Sequence, residues 1–484
     1  MASFLKRYIH RRAVAEDESE TPVGVNQNLI YRGIPKLLLE FVHKIFLLFE
    51  DLQEAGDVGL LHAALTAFGL NLCQPGFGGL EAGKQRIIPG VVFILMGAAA
   101  IDVSSATYET MNYWLEPMTF DCGWRKHLAA AVKQAVSVPV LAANFIRSPE
   151  QAEAQLAEGT QDFISLARPL LADPDWPETV HTRRADEVTR CIACLWCFES
   201  MLAGGFTGEA GQCALNPRCC REDEIPETPE KDGEGRTVAV IGAGVAGLTA
   251  ARVLAERGFA VTVLEKAART GGQINLAAEP PHKEKIRWCV DDLLVKYEKL
   301  GVDIHYNTGD HPPALLQEIN PCAVFLATGA SEIIPDIPGA RDGNVHSVEA
   351  VLGGSVDLVD RAVVVIGAGL TGLETAEYLC SKGCRVSIVE MADEAAPGAY
   401  HQHKDDILPK LHRAGAAFYL GHKLETIHSD GIAIREVKTG ELKTLPADDV
   451  VLSVGLRPNN ALAEELKGLC VILKHSWTSP PHAS

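Results

Sequence analysis

Positive charge is scarce in this chain. Its 484 residues carry 44 lysines and arginines against 63 aspartates and glutamates, a net charge of −19. A nucleic-acid surface needs concentrated lysine and arginine to displace counterions, and no basic stripe offsets the acid, so nucleic-acid partners are excluded. Long apolar runs are missing as well. The longest, Ile87 to Ile101, is shorter than the roughly 20 residues that span a bilayer, and glycine interrupts it. Cysteine, at 13 residues, falls far below the density of a secreted disulfide scaffold. The basic residues Lys6, Arg7, Arg11 and Arg12 give way at once to Glu16, Asp17, Glu18 and Glu20, which is unlike a targeting leader. The expectation is a soluble protein of the reducing cytoplasm, with no membrane partner. Neither HExxH nor GxSxG occurs and the 16 histidines are scattered, which removes metallohydrolase and serine-nucleophile chemistry. An apolar fraction of 47% is enough for three or four compact units.

What the chain does have is a glycine fingerprint, twice. Thr237-Val-Ala-Val-Ile runs into Gly242, Gly244 and Gly247, and the next strand, Ala260 to Leu264, ends in Glu265. Gly242 permits a tight turn, Gly244 admits a phosphate, and Gly247 lets helix and strand approach; free N–H groups at the helix start face the phosphate. Glu265 follows Gly242 by 23 residues (265 − 242), placed to accept hydrogen bonds from a ribose. Arg361 to Ile366 repeats the strand, with Gly367, Gly369, Gly372 and then Glu390 at the same offset (390 − 367 = 23). A carboxylate at 390 repels a 2′-phosphate, which favours NADH over NADPH.

Cysteines precede both fingerprints. Cys191, Cys194 and Cys197 share one tight loop and Cys213 follows. Zinc ribbons usually bring two CxxC pairs, whereas three clustered thiolates plus one distant one suit a 4Fe-4S cluster; zinc and free thiols are the alternatives. Cys219 and Cys220 lie just beyond, and Cys213 fits the pattern better. The charged, Pro- and Gly-rich stretch from Arg221 to Gly235 reads as a linker.

The paired fingerprints, with Gly271-Gly272-Gln273, Ala327-Thr328-Gly329 and Val454-Gly455-Leu-Arg457-Pro458-Asn459, resemble the flavin disulfide-reductase fold of two dinucleotide domains. Upstream, Val138 to Asn144, Ser148-Pro-Glu-Gln-Ala and Asp162 to Pro174 resemble the seventh and eighth units of a TIM barrel, and Ala100 to Glu109 its sixth strand. The order of barrel, cysteines and two dinucleotide domains resembles NADH:flavin oxidoreductases of the 2,4-dienoyl-CoA reductase / trimethylamine dehydrogenase type, of the old yellow enzyme family. The resemblance implies an α/β fold: the C-terminal half of a (β/α)8 barrel followed by two Rossmann-like domains. It divides the chain into a divergent region 1–99, barrel 100–184, iron-sulfur segment and linker 185–235, FAD domain 236–350, NAD(P)H domain 351–445 and a return to the FAD domain 446–484.

It also implies roles. Gly272, Gln273 and Gly329 join the first fingerprint at FAD; Asn144, Ala167 and Arg168 hold FMN, although Phe145 stands where the family has arginine; Tyr108 replaces a histidine as the candidate acid. Electrons would pass from NADH to FAD, to the cluster, to FMN, and then to an activated C=C bond. Barrel strands one to four and the closing Gly-Asp motif have no counterpart, so a chain truncated at both ends is expected. That leaves a homo-oligomer or a partner chain to complete the barrel, and Leu469 and Cys470 lead into a polar tail that starts at Lys474. An amine dehydrogenase and an inactive nucleotide-binding remnant are the competing readings; the intact second fingerprint favours the reductase.

Overall fold

Apolar β-branched residues at consecutive positions belong in strands covered on both faces, and both fingerprints start from such strands. A computed structural model describes residues 98–106, 108–308, 312–466 and 473–475; the readings placed on residues 1–97 lie outside them. The chain divides after Ala99, and the second unit, Ala100–Ser484, carries every candidate site.

Its first sheet is parallel, in the order β1 (Ile101–Val103), β2 (Val140–Ala142) and β3 (Phe163–Ile164). Helices α1 (Lys126–Ala135) and α2 (Pro149–Ala157) form the connections between these strands. Ser148 starts α2: its hydroxyl accepts the N–H of Gln151 at 3.2 Å, and Pro149 takes the first turn. Helix α3 (Arg168–Ala172) follows β3, and α4 (Trp196–Thr207) follows the cysteine loop.

Next comes β4 (Thr237–Ile241), joined through α5 (Val245–Glu256) to β5 (Ala260–Leu264); α6 (Trp288–Leu300), β6 (Asp303–His305) and β7 (Ala323–Leu326) complete the core of this sheet. Leu248, Ala251 and Leu254 of α5 share one apolar cluster with Val290 and Tyr297 of α6. After β8 (Ala330–Glu332), a second parallel sheet takes β9 (Val345–Ser347), β10 (Ala362–Ile366), β11 (Arg385–Val389), β12 (Ala417–Tyr419) and a later strand, β16 (Asp449–Leu452), in the order β12-β11-β10-β16-β9. Helix α7 (Leu370–Ser381) connects β10 to β11, and α8 (His401–Arg413) precedes β12. Between β12 and β16, β13 (His422–His428), β14 (Gly431–Glu436) and β15 (Leu442–Pro446) form an antiparallel sheet.

The two fingerprints are superposable in register. Thr237 pairs with Ala260 and Ala362 with Arg385, an offset of 23 in each (260 − 237; 385 − 362). Sheet membership differs from the sequence divisions at two points: β9 brings the second sheet ahead of residue 351, and β16 carries it past 445. Both strands are short, and their partners are distant in sequence, so local pattern does not reveal the pairing. The chain returns through β17 (Leu456–Pro458), antiparallel to β8. Residues Leu473–His475, where the stretch read as a polar tail begins, form β18, which pairs in parallel with β7 as the edge strand of the sheet β18-β7-β4-β5-β6. Backbone pairing at a sheet edge does not require apolar side chains, which is why this strand was invisible in the composition.

Candidate functional site

The fingerprint glycines divide by what a side chain at each would meet. Gly242 and Gly367 have φ of +104° and +103°, and an added Cβ would lie 2.3 Å from Ala327 O and 2.2 Å from Ser453 O. Gly247 and Gly372 press onto the turn itself, 1.9 Å from Gly242 O and 2.0 Å from Gly367 O. Gly244 and Gly369 are different: extended in backbone, they face open space, with nothing within 4 Å. Each begins a helix, α5 or α7, that has no side-chain cap, so its first N–H groups remain for a ligand anion. The cradle for a pyrophosphate is thus present at both sites.

Behind each cradle stands its carboxylate. Glu265 accepts the N–H of Ala243 at 2.6 Å and of Ala267 at 2.8 Å; Glu390 accepts those of Ala368 at 2.8 Å and Ala392 at 2.9 Å. The sequence reading gave these acids only a ribose to hold, and the structure adds a second task, bracing the turn. One lone pair per oxygen is left for a ligand hydroxyl. We expect Glu390→Ala to lower the preference for NADH over NADPH by about tenfold, the scale of one hydrogen bond to a charged group. Equal affinity for both nucleotides in the unaltered protein would contradict this role.

The accessory motifs come together around the first cradle. Gly271 N–H donates to Ala243 O at 2.8 Å, a Cβ on Gly272 would lie 3.2 Å from Gly244 Cα, and Gln273 Nε2 donates to Ala330 O at 3.2 Å. Next to Gly329, Thr328 Oγ1 donates to Asn459 O at 2.8 Å while Asn459 Nδ2 donates back to Thr328 O at 3.1 Å.

The cysteine loop is held against the first dinucleotide unit. Arg190 donates through N and Nε to Asp292 of α6 at 2.7 and 2.9 Å, and Lys296 Nζ to Thr189 Oγ1 at 2.6 Å. Ala193 and Leu195 take positive φ (55° and 62°), which folds the loop tightly between its thiols. Cys194 feels the charges of Cys191, Cys213 and Cys197, Cys197 those of Cys191 and Cys213, and Cys213 that of Cys191. Burial pushes the Cys194 thiol up to about 12, opposed by the backbone N–H of Trp196. Burial raises Cys197 and Cys213 too, and backbone N–H groups of Phe198, Leu215 and Asn216 face them. Amides aimed at sulfur stabilise thiolates and tune iron-sulfur clusters, so the donor set fits such a group. Among the described residues no three His, Cys, Asp or Glu side chains converge as a single bound ion at about 2.3 Å from each sulfur requires.

The barrel residues nominated for FMN are placed less openly. Asn144 (φ +40°) is buried, and its amide donates to Gln155 Oε1 at 3.1 Å and to Gln161 Oε1. Ala167 is exposed ahead of α3. Arg168 donates through Nη1 to Glu116 O at 2.8 Å and through Nη2 to Glu116 Oε2 at 2.7 Å. As placed, Asn144 is hydrogen-bonded within the chain, and Arg168 gives Glu116 two of its five N–H groups. Tyr108 opens the turn Tyr108–Tyr113, and its side chain lies outside the described residues.

Glu116 had no signal in the sequence. Its carboxylate, 1% exposed, also accepts Trp124 Nε1 and is ion-paired with Arg125 Nη1, both at 3.2 Å. Glu116→Ala strands two guanidinium groups, and we expect a loss of about 3–5 kcal/mol, read from chemical unfolding. A loss below about 1 kcal/mol would mean that these charges are solvated after all.

Residues 236–471 match the pyridine nucleotide-disulphide oxidoreductase family, and residues 91–187 the NADH:flavin oxidoreductase / NADH oxidase family. An NADH oxidase of Thermoanaerobacter brockii is 36% identical over 396 residues, covering 80% of this chain and 58% of that protein. A cinnamate reductase of Clostridium sporogenes is 30% identical over 398 residues, covering 80% and 56%. The structure of a 2-naphthoyl-CoA reductase in complex with 2-naphthoyl-CoA matches with a TM-score of 0.72 and 26% identity, over 78% of this chain and 56% of the other. The chain therefore spans a little over half the length of these relatives. Among the described residues no helix is long and apolar enough to cross a membrane.

Proposed function

We propose that this chain, whose residues 91–187 match the NADH:flavin oxidoreductase / NADH oxidase family and residues 236–471 the pyridine nucleotide-disulphide oxidoreductase family, is an NADH-dependent reductase of activated C=C bonds, of the enoate or 2,4-dienoyl thioester type. The observation that carries this reading is the intact pair of cradles, Gly242 to Glu265 and Gly367 to Glu390, in one chain with the cysteine loop Cys191–Cys197 and Cys213. Cradle one would hold FAD and cradle two NADH; Cys191, Cys194, Cys197 and Cys213 would hold a 4Fe-4S cluster. When bound, these groups supply acceptance of a hydride pair and its release as single electrons.

The chain's own residues do the placing. Uncapped N–H groups of α5 and α7 take the pyrophosphates, Glu265 and Glu390 orient the riboses, and Gly271 to Gln273 closes over the first cradle. Arg190 and Lys296 fix the cysteine loop to α6, holding the thiols against the first unit. The similarity to a cinnamate reductase and to a naphthoyl-CoA reductase supports an unsaturated acid or thioester as substrate. No step is assigned to Asn144 or Arg168, which already have partners, and the site of C=C reduction would lie where a more complete barrel surrounds this sheet.

The test is the cofactor content of anaerobically purified chain, followed by NADH oxidation with cinnamate or an enoyl thioester. About four iron with sulfide and FAD, and alkene consumed with NADH, is the expected result. Flavin without iron, or consumption of a secondary amine in place of the alkene, would overturn it. FMN in the same sample would support a second flavin held by the barrel part.

A further inference from the structure

The two cysteines just past Cys213 take no part in the proposed relay, yet the fold gives them a shared geometry. Side chains of neighbouring residues ordinarily diverge, to opposite faces on a strand and by about 100° on a helix. Those of Cys219 and Cys220 do not: their sulfurs lie 4.0 Å apart. The backbone of Cys220 takes φ +59°, a region uncommon for a residue that carries a side chain. Hydrogen bonds fasten this turn on both sides. Cys219 N–H donates to Asn216 O at 3.2 Å, Cys220 N–H to Glu222 Oε1 at 3.1 Å, and Arg221 N–H to Arg218 O at 2.7 Å. Arg218 Nε donates to Ile225 O at 3.0 Å, and Asn216 Nδ2 to Leu171 O at 2.9 Å, which anchors the turn to α3.

The two thiols differ in access. Cys219 is 5% exposed, whereas Cys220 is open to solvent. A small molecule therefore meets the second sulfur, and the first waits beside it. An accessible thiol poised next to a resolving one is the arrangement of a redox-responsive pair.

We infer that Cys219 and Cys220 form a dithiol site for small-molecule disulfides, which oxidise the pair to a vicinal disulfide. Cys220, as its thiolate, attacks one sulfur of the incoming disulfide; that S–S bond breaks, a mixed disulfide forms on Cys220, and one thiolate leaves. Cys219 then attacks the Cys220 sulfur, the mixed disulfide breaks, and the second thiolate leaves. The protons given up by the two cysteines go to the two leaving thiolates, so the pair loses two electrons and two protons and the small disulfide gains them. Neighbouring Cα atoms sit about 3.8 Å apart across a trans peptide, closer than the roughly 4.4–6.8 Å usual for a disulfide, so the link is easily reduced again. Neither thiol is among the four assigned to iron, and the inference stands or falls apart from that reading.

Peptide mapping tests it. The full-length chain, purified anaerobically, is exposed to excess glutathione disulfide, alkylated with iodoacetamide in denaturant and cut with trypsin, which releases the pair as Cys219-Cys220-Arg221. That tripeptide should be lighter by two hydrogens than the reduced one, carry neither glutathione nor an alkyl group, and return to the dithiol with reductant. In Cys219→Ser, glutathione should stay on Cys220 for want of a resolving thiol. In Cys220→Ser, Cys219 should remain a free thiol. Glutathione retained on Cys220 of the unaltered chain, both thiols alkylated after the treatment, a bond from either to Cys213, or glutathione on Cys219 in Cys220→Ser overturns the inference.

Discussion

Alanine at Gly372 will unfold the second dinucleotide unit, whereas alanine at Gly369 will leave it folded and unable to hold NADH. At 372 the new Cβ would lie 2.0 Å from Gly367 O and 3.3 Å from Ser453 Oγ. The first contact is with backbone in the turn itself, so helix α7 must move off β10, and overpacking of this kind costs about 3 kcal/mol. At 369 the backbone is already extended (φ −63°, ψ 167°), a conformation open to any residue, and no atom of the chain lies within 4 Å of the new methyl. The unfolding midpoint in urea should therefore not move, while NADH affinity should fall about tenfold or more as the methyl takes the phosphate's space. Titration of NADH by fluorescence and urea unfolding of both variants make the comparison. Undiminished NADH affinity in Gly369→Ala would remove the second cradle as the nucleotide site.

The second large effect concerns Cys194→Ser. Cys194 is the middle cysteine of the loop, three residues from Cys191 and three from Cys197. A serine hydroxyl is a poor ligand for iron that prefers soft sulfur. Iron should drop from about four per chain to a small fraction, with loss of the broad visible absorbance, and NADH affinity should stay as it was. Cys219→Ser is the control. Cys219 is buried and lies 4.0 Å from Cys220 by sulfur, and that variant should keep its iron if Cys213 is the fourth ligand. Full iron in Cys194→Ser would refute the assignment.

Much of the architecture was legible because it rests on local rules. A strand, three glycines and an acid at fixed spacing force one turn geometry, and the second copy repeats the first to within 0.1 Å at Gly242 and Gly367 (2.3 and 2.2 Å). The barrel strands were legible for the same reason: alternating strand and helix, with Ser148 and Pro149 marking where α2 begins. Non-local features were not. Glu116 lies in Trp-Leu-Glu-Pro, a sequence that reads as surface loop, and only the fold brings Arg125 and Arg168 onto it. Arg168 was legible as a residue that binds something negative, but the partner found is a carboxylate of the chain. Strand β18 was missed because edge pairing uses backbone, which composition does not report.

The tether between the cysteine loop and helix α6 has a consequence for how the protein is made. Arg190 reaches Asp292 across 102 residues of chain, Thr189 reaches Lys296 across 107, and Glu187 reaches Lys299 across 112. Contacts of such sequence separation form late, after the intervening segment has closed. On a ribosome the four cysteines emerge long before α6, yet their loop has no fixed shape until α6 and the sheet beneath it exist. On the iron-sulfur reading proposed above, loading would belong after the first dinucleotide unit has folded. The four cysteines precede α6 in the chain, yet the contacts that fix their loop wait for it.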